Sequence, residues 1–306
     1  MESNTSIHVF HILPFFVNAG NKLFILNSVL FLLIYLIGIL VNFIIITVIC
    51  VDLHLHTPMY LFLCNLSITD LCFTTITVPK LLYILFSGNN TISFTQCFIQ
   101  MYFFFLADIT EVMVIFTMAF DRYVAICYPL DYHRILNKNI CMLIIMITWI
   151  CGSLGSSLFI CSILKLVFCS TFTIHHFFCD AKALLNISCS GTKMFYIVMY
   201  VDFLLFGFLP VVCNFMSYLK IIKVILRIKS KDGRRKTFST CSSHLIVMAI
   251  YYGSGVSVYM MPPSDQYDIL EQILTVFYTT VVPMLNPLIY SLRNKQLNNS
   301  LQKFLS

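Results

Sequence analysis

An acid and a base stand side by side near the end of a long apolar stretch: Asp121 and Arg122, in the segment MAFDRYVAIC from Met118 to Cys127. A carboxylate and a guanidinium form a strong, charge-assisted pair. Asp108 and Glu111 precede this pair in the same stretch. At 1.5 Å of rise per residue, about 21 Å of helix would separate Asp108 from Arg122. Groups of this kind can hold a cation or exchange ion-pair partners.

One helical face gathers these groups, because steps of three, four and seven residues align them. The face consists of Met101, Phe104, Phe105, Asp108, Glu111, Val112, Ile115 and Arg122. Charges inside an apolar helix are costly and usually point into a helix bundle. Packing alone is therefore a poor explanation for the two carboxyl groups, although it explains the aromatic side chains as well as a binding role does.

The composition places the chain in a membrane. Of its 306 residues, 59% are hydrophobic and 10% are charged, whereas soluble domains carry about 25% charged residues. A bilayer core requires about 20 apolar residues per helix and tolerates no unpaired backbone. Long apolar runs without strand-like alternation predict an all-α membrane protein with seven spans. The predicted spans are Leu23–Cys50, Pro58–Phe86, Phe94–Cys127, Ile140–Ile163, Met194–Ile225, Phe238–Met261 and Leu270–Leu292.

Basic residues mark one side of the membrane. They crowd the connector between spans five and six, and others follow spans three and seven. Cytoplasmic loops carry such an excess, so the C-terminus is expected inside and the N-terminus outside. The net charge of +6 thus reflects topology and gives no indication of nucleic acid as a partner.

This topology divides the chain into three parts. We predict an extracellular N-terminus at 1–22 without a cleaved signal peptide, a seven-span domain at 23–292 and a cytoplasmic tail at 293–306. The tail carries apolar residues at helical spacing, which predicts a short amphipathic helix on the inner leaflet. These residues are Leu297, Leu301, Phe304 and Leu305.

Five motifs occur in order along nearly the whole chain. They are LHTPMYLFLCNLS from Leu55, MAFDRYVAIC from Met118, HFFCD from His176, KTFSTCSSHL from Lys236 and PMLNPLIYSLRN from Pro283. Together they resemble the signature of vertebrate olfactory receptors, a branch of the rhodopsin-like G-protein-coupled receptors. Two positions depart from the family pattern: Thr237 stands where alanine is more common, and Val41 stands where a glycine usually precedes Asn42.

The resemblance implies that Asp121, Arg122 and Tyr123 form a switch at the cytoplasmic end of span three. In the resting state Arg122 would pair with Asp121. In the active state Arg122 would turn toward a G protein, with Tyr218 and Tyr290 moving beside it. A second, acidic lock at the inner end of span six is not expected, because that end reads RRKTF. The basic connector would contact the G protein, anionic lipid or both.

The resemblance also implies a ligand pocket in the outer half of the bundle, mostly apolar with a few placed polar groups. Its expected lining is Met101, Phe104, Phe105, Asp108, Ile109, Asp202, Phe203, Phe206, Tyr252, Gly255, Val256, Tyr259, Val276, Thr279 and Thr280. Two carboxyl groups in it, Asp108 and Asp202, favour a cationic ligand such as a volatile amine. The alternative is that Lys80 in span two neutralises Asp108 and leaves a neutral pocket.

Asp70, Glu111 and Asn286 match the inner polar site of the family. Two carboxylates close together in a medium of low dielectric constant cannot both stay ionised without help. A sodium ion, which suits oxygen ligands, or a proton would resolve the conflict. A purely structural hydrogen-bonded cluster is the third interpretation. No other cofactor is expected.

Four cysteines lie on the oxidising outer side, enough for two disulfides. The pairs that the resemblance implies are Cys97–Cys179 and Cys169–Cys189. A metal site from His175, His176 and Cys179 competes with the first pair, because a cysteine in a disulfide has no thiolate to offer. The sequon that begins at Asn4 predicts glycosylation outside the cell.

These observations favour a chemosensory receptor over three other classes. A transporter would show internal repeats, a retinal protein would need a lysine in span seven, and an enzyme would need an acid partner for His244. We therefore expect an odorant receptor that binds a small volatile ligand. It would activate a stimulatory heterotrimeric G protein of the olfactory type and raise cAMP, at the plasma membrane of olfactory sensory neurons.

Overall fold

The computed structural model describes residues 9–14, 21–168, 172–189, 191–259 and 268–305. In this part of the chain seven helical segments are long and apolar enough to cross a membrane, as predicted. Spans one to four are the helices Asn21–Val51, Pro58–Ser87, Phe94–Cys127 and Lys138–Ile163. Span five joins the helices Lys193–Asp202 and Leu209–Arg227, span six is Lys231–Tyr259, and span seven joins Asp268–Val276 and Val282–Arg293.

Local signals begin and end the helices. Span two starts with Pro58, whose missing N–H is not needed in a first turn. It ends at Gly88, which has a φ of 69° that favours glycine. Span three begins with a capping box: Ser93 Oγ accepts from the Gln96 N–H at 3.2 Å, and Gln96 Oε1 accepts from the Ser93 N–H at 3.3 Å.

Span three is the central helix and packs against spans two, four and five. It is also the span with the largest buried share. Its contact with span four depends on a small residue, since a Cβ at Gly152 would lie 2.5 Å from Thr110 Oγ1. The residues predicted to carry function in span three are therefore held inside the bundle.

Span six is longer than its apolar pattern predicts. The expected start was Phe238, but the helix begins at Lys231. Lysine and arginine are good helix formers in water, so the helix continues past the membrane where the hydropathy signal has already ended. The basic residues from Lys231 onward thus project on a helix and not on a loop.

Three short strands, absent from the all-α prediction, cover the extracellular end. Strand β1 (Val9–Ile12) pairs antiparallel with β2 (Thr91–Ser93) and parallel with β3 (Thr173–Ile174). Phe10 in β1 is fully buried against Phe94, Phe168 and Phe172. Each strand has too few residues for an alternation of apolar and polar side chains to predict it from the sequence. Burial of Phe10 fixes the N-terminal segment against the extracellular loops.

The loop between spans four and five is fixed to the bundle. Cys97 and Cys179 form the expected disulfide. Lys182 Nζ lies 2.7 Å from Glu271 Oε2 at the outer end of span seven. Cys189 is also disulfide-bonded, whereas its predicted partner Cys169 lies outside the described residues, as does the sequon at Asn4. We call the segment 172–189 the lid.

A helix from Lys295 to Leu305 follows span seven, as the tail pattern predicts. It is docked on the first cytoplasmic loop: Ser300 Oγ donates to Asp52 Oδ2 at 2.6 Å, and Gln296 Nε2 donates to the His54 carbonyl at 3.1 Å. The Ser300 hydroxyl and the His54 N–H lower the pKa of Asp52 to about 2. Leu297 is buried on the bundle, whereas Phe304 is exposed.

His176 is buried within the lid, between the rings of Phe177 and Phe178 at centroid distances of 4.7 and 4.6 Å. Its Nδ1 has no hydrogen-bond partner among the described residues. Burial, with a smaller effect of Lys182, lowers the pKa of His176 from 6.5 to about 3. The folded lid therefore holds this imidazole neutral.

We expect the folded receptor to lose stability in acid through His176. Because its folded pKa is depressed, the contribution is complete above about pH 6.5 and is lost as the pH falls toward 3, with about 2 kcal/mol lost at pH 5. Thermal unfolding of purified receptor at about pH 7.5 and about pH 5 measures this loss, and His176→Phe should show a smaller fall in Tm. His175→Gln, at an exposed position of the lid, is the matched control. An equal fall in all three proteins would contradict the prediction.

Candidate ligand site and cytoplasmic switch

Asp108 lies where spans three, six and seven meet. Its Oδ1 accepts hydrogen bonds from the hydroxyls of Tyr251 in span six, at 3.1 Å, and Tyr278 in span seven. The two hydroxyl oxygens are 2.9 Å apart. Both tyrosines are buried, whereas Asp108 is partly exposed within the bundle. We call these three residues the Asp108 cluster.

Among the described residues, Asp108 has no cationic partner. Lys80, the candidate partner, donates instead to the Thr91 carbonyl at 2.7 Å and lies over the Tyr83 ring. Within the described ranges, no lysine, arginine or histidine forms an ion pair with Asp108. The interpretation in which Lys80 neutralises Asp108 is therefore wrong, because the lysine reaches the outer surface and the carboxyl group does not.

Aromatic rings lie beside the Asp108 cluster. The Phe104 ring lies 5.0 Å from Phe73 and 4.8 Å from Phe178 of the lid, and Phe73 in turn meets the edge of Tyr278. The residues of the predicted lining that are buried here are Met101, Phe104, Phe105, Ile109, Thr279 and Thr280. The lid thus reaches the cluster through continuous ring contacts.

Asp202, the second acid of the predicted pocket, lies at the inner face of span five. A Cβ at Gly155 would lie 3.5 Å from Asp202 Oδ1, 3.4 Å from the Phe206 ring and 2.7 Å from Ile109 Cδ1. The absence of a side chain at Gly155 provides the room for this arrangement.

Other members of the predicted lining are dispersed. Phe203 and Val256 are 50% and 54% exposed on the outer surface of the bundle, so their placement does not agree with a pocket lining. Their positions around the helix axis direct both side chains toward lipid. The remaining members are partly buried: Gly255 and Val276 on spans six and seven, and Tyr252, whose hydroxyl accepts from Asn214 Nδ2 at 3.2 Å. The Tyr259 side chain lies outside the described residues.

Two π-helical turns adjoin the polar residues of this region. Phe203–Phe208 directly follows Asp202, and Phe277–Val281 contains Tyr278. A π-turn inserts a residue into an α-helix and changes which side chains face inward, and such turns are frequent at functional sites. This rotation explains part of the difference between the predicted and observed linings.

A groove of about 350 Å³ lies away from these residues, on the outer surface between spans three and four. Its lining is apolar and includes Phe94, Phe98, Tyr102, Ile160 and Leu164. Close by, the Tyr102 and Ser153 hydroxyls share a hydrogen bond of 2.8 Å. The groove faces lipid and contains no charged side chain, so we favour the Asp108 cluster as the candidate ligand site.

Asp70, Glu111 and Asn286 meet deeper in the bundle. Asn286 Nδ2 donates to Asp70 Oδ1 at 3.0 Å and to Glu111 Oε1 at 3.3 Å. All three are buried, and the second oxygen of each carboxyl group accepts no hydrogen bond from an N–H or hydroxyl donor among the described residues. Two carboxyl groups with unpartnered oxygens suit a small hard cation or a shared proton.

The Asp-Arg pair closes the cytoplasmic end. Arg122 donates from Nε and Nη2 to Asp121 Oδ2, at 2.9 and 2.5 Å. The Tyr218 hydroxyl is 2.6 Å from His244 Nδ1, and the Tyr290 hydroxyl contacts the sulfur of Met118. Neither tyrosine bonds Arg122 in this structure. Tyr123 lies under Lys220 and its hydroxyl donates to Tyr128.

Asp121 has a second partner that sequence reasoning missed. The Tyr132 hydroxyl, in the short helix Tyr132–Ile135, donates to Asp121 Oδ1 at 2.7 Å. Burial and the nearby Asp121 raise the pKa of Tyr132 well above its usual value. Tyr251 and Tyr278 were missed as well. Tyr251 and its neighbour Tyr252 differ by a rotation of about 100° around the helix, and only the packing of the bundle decides which of the two faces Asp108.

Comparisons with known proteins agree with this architecture. Squid rhodopsin has a similar fold, with a TM-score of 0.73 over 94% of this chain and 86% of that chain, at 16% identity. The fold is therefore that of a seven-helix membrane bundle. A sequence model of the olfactory receptor family matches residues 31–306.

Relatives of known family cover almost the full chain. Olfactory receptor 1G1 of Gorilla gorilla gorilla is 41% identical over 98% of this chain and 96% of its own length. Olfactory receptor-like protein OLF4 of Canis lupus familiaris is 40% identical, with 99% and 98% covered. Olfactory receptor 1 of Rattus norvegicus is 42% identical, with 90% and 87% covered. The chain belongs to the olfactory receptor family, whose members are membrane signalling receptors and not enzymes.

We expect Tyr132→Phe to raise basal activity. The variant removes one of the hydrogen bonds that hold Asp121, and a bond to a charged group contributes about 1.5–3 kcal/mol. Basal nucleotide exchange by a coupled G protein, normalised to receptor at the cell surface, measures the effect. Tyr200→Phe is the control, because its side chain is exposed on the outer surface of span five. Basal exchange equal in the two variants would contradict a role for Tyr132 in the resting switch.

Proposed function

We propose that this receptor binds a small volatile amine at Asp108 and activates a stimulatory heterotrimeric G protein of the olfactory type, raising cAMP. Its proposed location is the plasma membrane of olfactory sensory neurons. The olfactory receptor family supports odorant recognition, G-protein coupling and membrane embedding. Our proposal adds three statements to this: that the ligand is positively charged, that the G protein is of the stimulatory olfactory type, and that the receptor is located in olfactory sensory neurons.

The unneutralised carboxyl group of Asp108 carries the proposal. Its Oδ1 accepts two hydroxyl bonds, and no hydrogen bond of the described residues involves its Oδ2. An ammonium group offers three donors and a positive charge, and it gains most where water is excluded. Neighbouring aromatic rings, which attract cations at their faces, add to this preference.

The cytoplasmic side supports coupling to a G protein. Span six projects from Lys231 into the cytoplasm with exposed basic residues, including Arg234 and Arg235. The surface around the Asp121–Arg122 pair is thus bordered by positive charge, which attracts an acidic partner at long range. The same charge binds anionic lipid, and the two contacts can coexist.

We expect amine odorants to activate the wild-type receptor and Asp108→Asn to raise their half-maximal concentration about tenfold or more, because a charge-assisted contact is lost. A cAMP assay with the olfactory stimulatory G protein, run against amines, acids, alcohols, aldehydes and ketones, measures this. Lys80→Gln should respond as wild type, since Lys80 is engaged with Thr91, and Arg122→Ala should abolish signalling.

Two outcomes would count against parts of the proposal. Responses to neutral odorants that survive Asp108→Asn would leave an odorant receptor but remove the amine. Signalling through a different G protein, with cAMP unchanged, would remove the stimulatory type and leave ligand recognition in place.

We also propose that Asp70 and Glu111 hold a sodium ion in the resting state. Their unpartnered oxygens and the Asn286 amide support a small cation. An ion that binds one conformation stabilises that conformation, and the site is formed while Arg122 pairs with Asp121. A proton shared by the two carboxyl groups is the competing explanation.

We expect replacement of sodium by N-methylglucamine to shift agonist responses to lower concentrations by about threefold to tenfold, because the resting state loses its ligand. Glu111→Gln should remove this dependence, since it keeps the shape but loses the charge. Glu271→Gln serves as the control, because Glu271 lies at the outer end of span seven. A wild-type response independent of sodium would favour the shared proton.

A further inference from the structure

The Asp108 cluster joins three helices through one oxygen atom. Tyr251 and Tyr278 both donate to Asp108 Oδ1, so spans six and seven are bonded to span three at the same point. Hydrogen bonds to a charged acceptor are about twice as strong as neutral ones. Lipid offers no competing partner to the hydroxyls. The cluster therefore cross-links spans three, six and seven inside the bundle.

Near Tyr251, span six carries a serine whose hydroxyl bonds back to the helix backbone. Ser254 Oγ donates to the carbonyls of both Ile250 and Tyr251, at 2.7 and 3.0 Å, and such back-bonding bends helices. Gly253 and Gly255 stand on either side of Ser254 and restrain the backbone little. The helix can thus pivot within one turn of the bond to Asp108.

Span seven has its own adjustable turn at the cluster. Tyr278 is the second residue of the π-turn Phe277–Val281. Return of this turn to α-helical geometry would rotate Tyr278 by about 100° relative to one flank of the helix. The hydroxyl would then leave Asp108 without unfolding the span.

The same face of span six leads to the cytoplasmic switch. His244 lies seven residues before Tyr251, about two turns along the helix and on the same face. It holds Tyr218 at 2.6 Å. A span six released from Asp108 can therefore carry His244 away from Tyr218 and free that tyrosine for Arg122.

We propose that Tyr251 and Tyr278 form, with Asp108, a resting-state lock between the ligand site and the switch, which a ligand opens by taking Asp108 from the two hydroxyls. This inference rests on the proposed function in one respect, the contact between ligand and Asp108. The lock acts in the absence of ligand, so its test does not require that the odorant be known.

The experiment compares basal activity of Tyr251→Phe and Tyr278→Phe with wild type, as GTPγS binding to a panel of heterotrimeric G proteins, normalised to receptor at the surface. Loss of one bond to a charged acceptor should shift the resting–active equilibrium about tenfold toward the active state. The double variant should rise little above the single ones, because either substitution opens the same lock.

Tyr102→Phe is the matched control. It removes a hydroxyl that also bonds across two spans, to Ser153, but this bond joins spans three and four. Its basal activity should equal wild type. Basal activity in Tyr251→Phe and Tyr278→Phe that equals Tyr102→Phe would overturn the lock, and so would fully additive effects in the double variant.

Asp108→Asn provides a second variant if the phenylalanine substitutions fail to reach the surface, since it preserves volume and weakens the acceptor. Hydrogen exchange of the cytoplasmic part of span six in purified receptor, faster in Asp108→Asn than in wild type, would support the lock, and equal exchange would overturn it. Raised basal activity of the variants without any amine response in wild type would support the lock and refute the amine ligand. An amine response in wild type with unchanged basal activity of the variants would support the amine ligand and refute the lock.

Discussion

Polar groups inside a bilayer must find partners within the bundle, and this constraint determines how the seven spans meet. Lipid tails are as apolar as the helix surfaces, so apolar contact alone does not determine which helices pack together. Span three carries three acids at successive depths, and each is held by a different set of spans. Asp108 meets tyrosines of spans six and seven, Glu111 meets span seven, and Asp121 meets its neighbour Arg122 and the second cytoplasmic loop.

These three points differ in how completely they are satisfied. Both oxygens of Asp121 are bonded, whereas Glu111 keeps an unpartnered oxygen and Asp108 has only one bonded oxygen among the described contacts. A buried polar network in which every group is hydrogen-bonded fixes one arrangement of the side chains. A network with an unbonded polar atom can bind a ligand at that atom. The acids of span three therefore differ along the bundle: the carboxyl group at the cytoplasmic end is fully bonded, and the two nearer the lid are only partly bonded.

The seven spans and the tail helix could be predicted, because apolar length and helical spacing are local properties of the sequence. The Cys97–Cys179 disulfide was implied by the family resemblance. Strand β1 could not, because it depends on a distant hydrophobic contact of Phe10. Individual pocket residues were also hard to predict. Phe203 follows a carboxyl group in sequence yet faces outward, since a π-turn and helix rotation decide orientation and neither leaves a pattern in composition.

The two proposed cation positions would also be coupled. Asp108 and Glu111 are one helical turn apart, and the charge of Asp108 acts on Glu111. A positive charge bound at either position would reduce the negative charge that attracts a cation to the other. Coupling of this kind is reciprocal by thermodynamic necessity. An ammonium ligand at Asp108 would therefore weaken sodium at Glu111, and sodium would weaken the ligand, even if no backbone atom moved between the two sites.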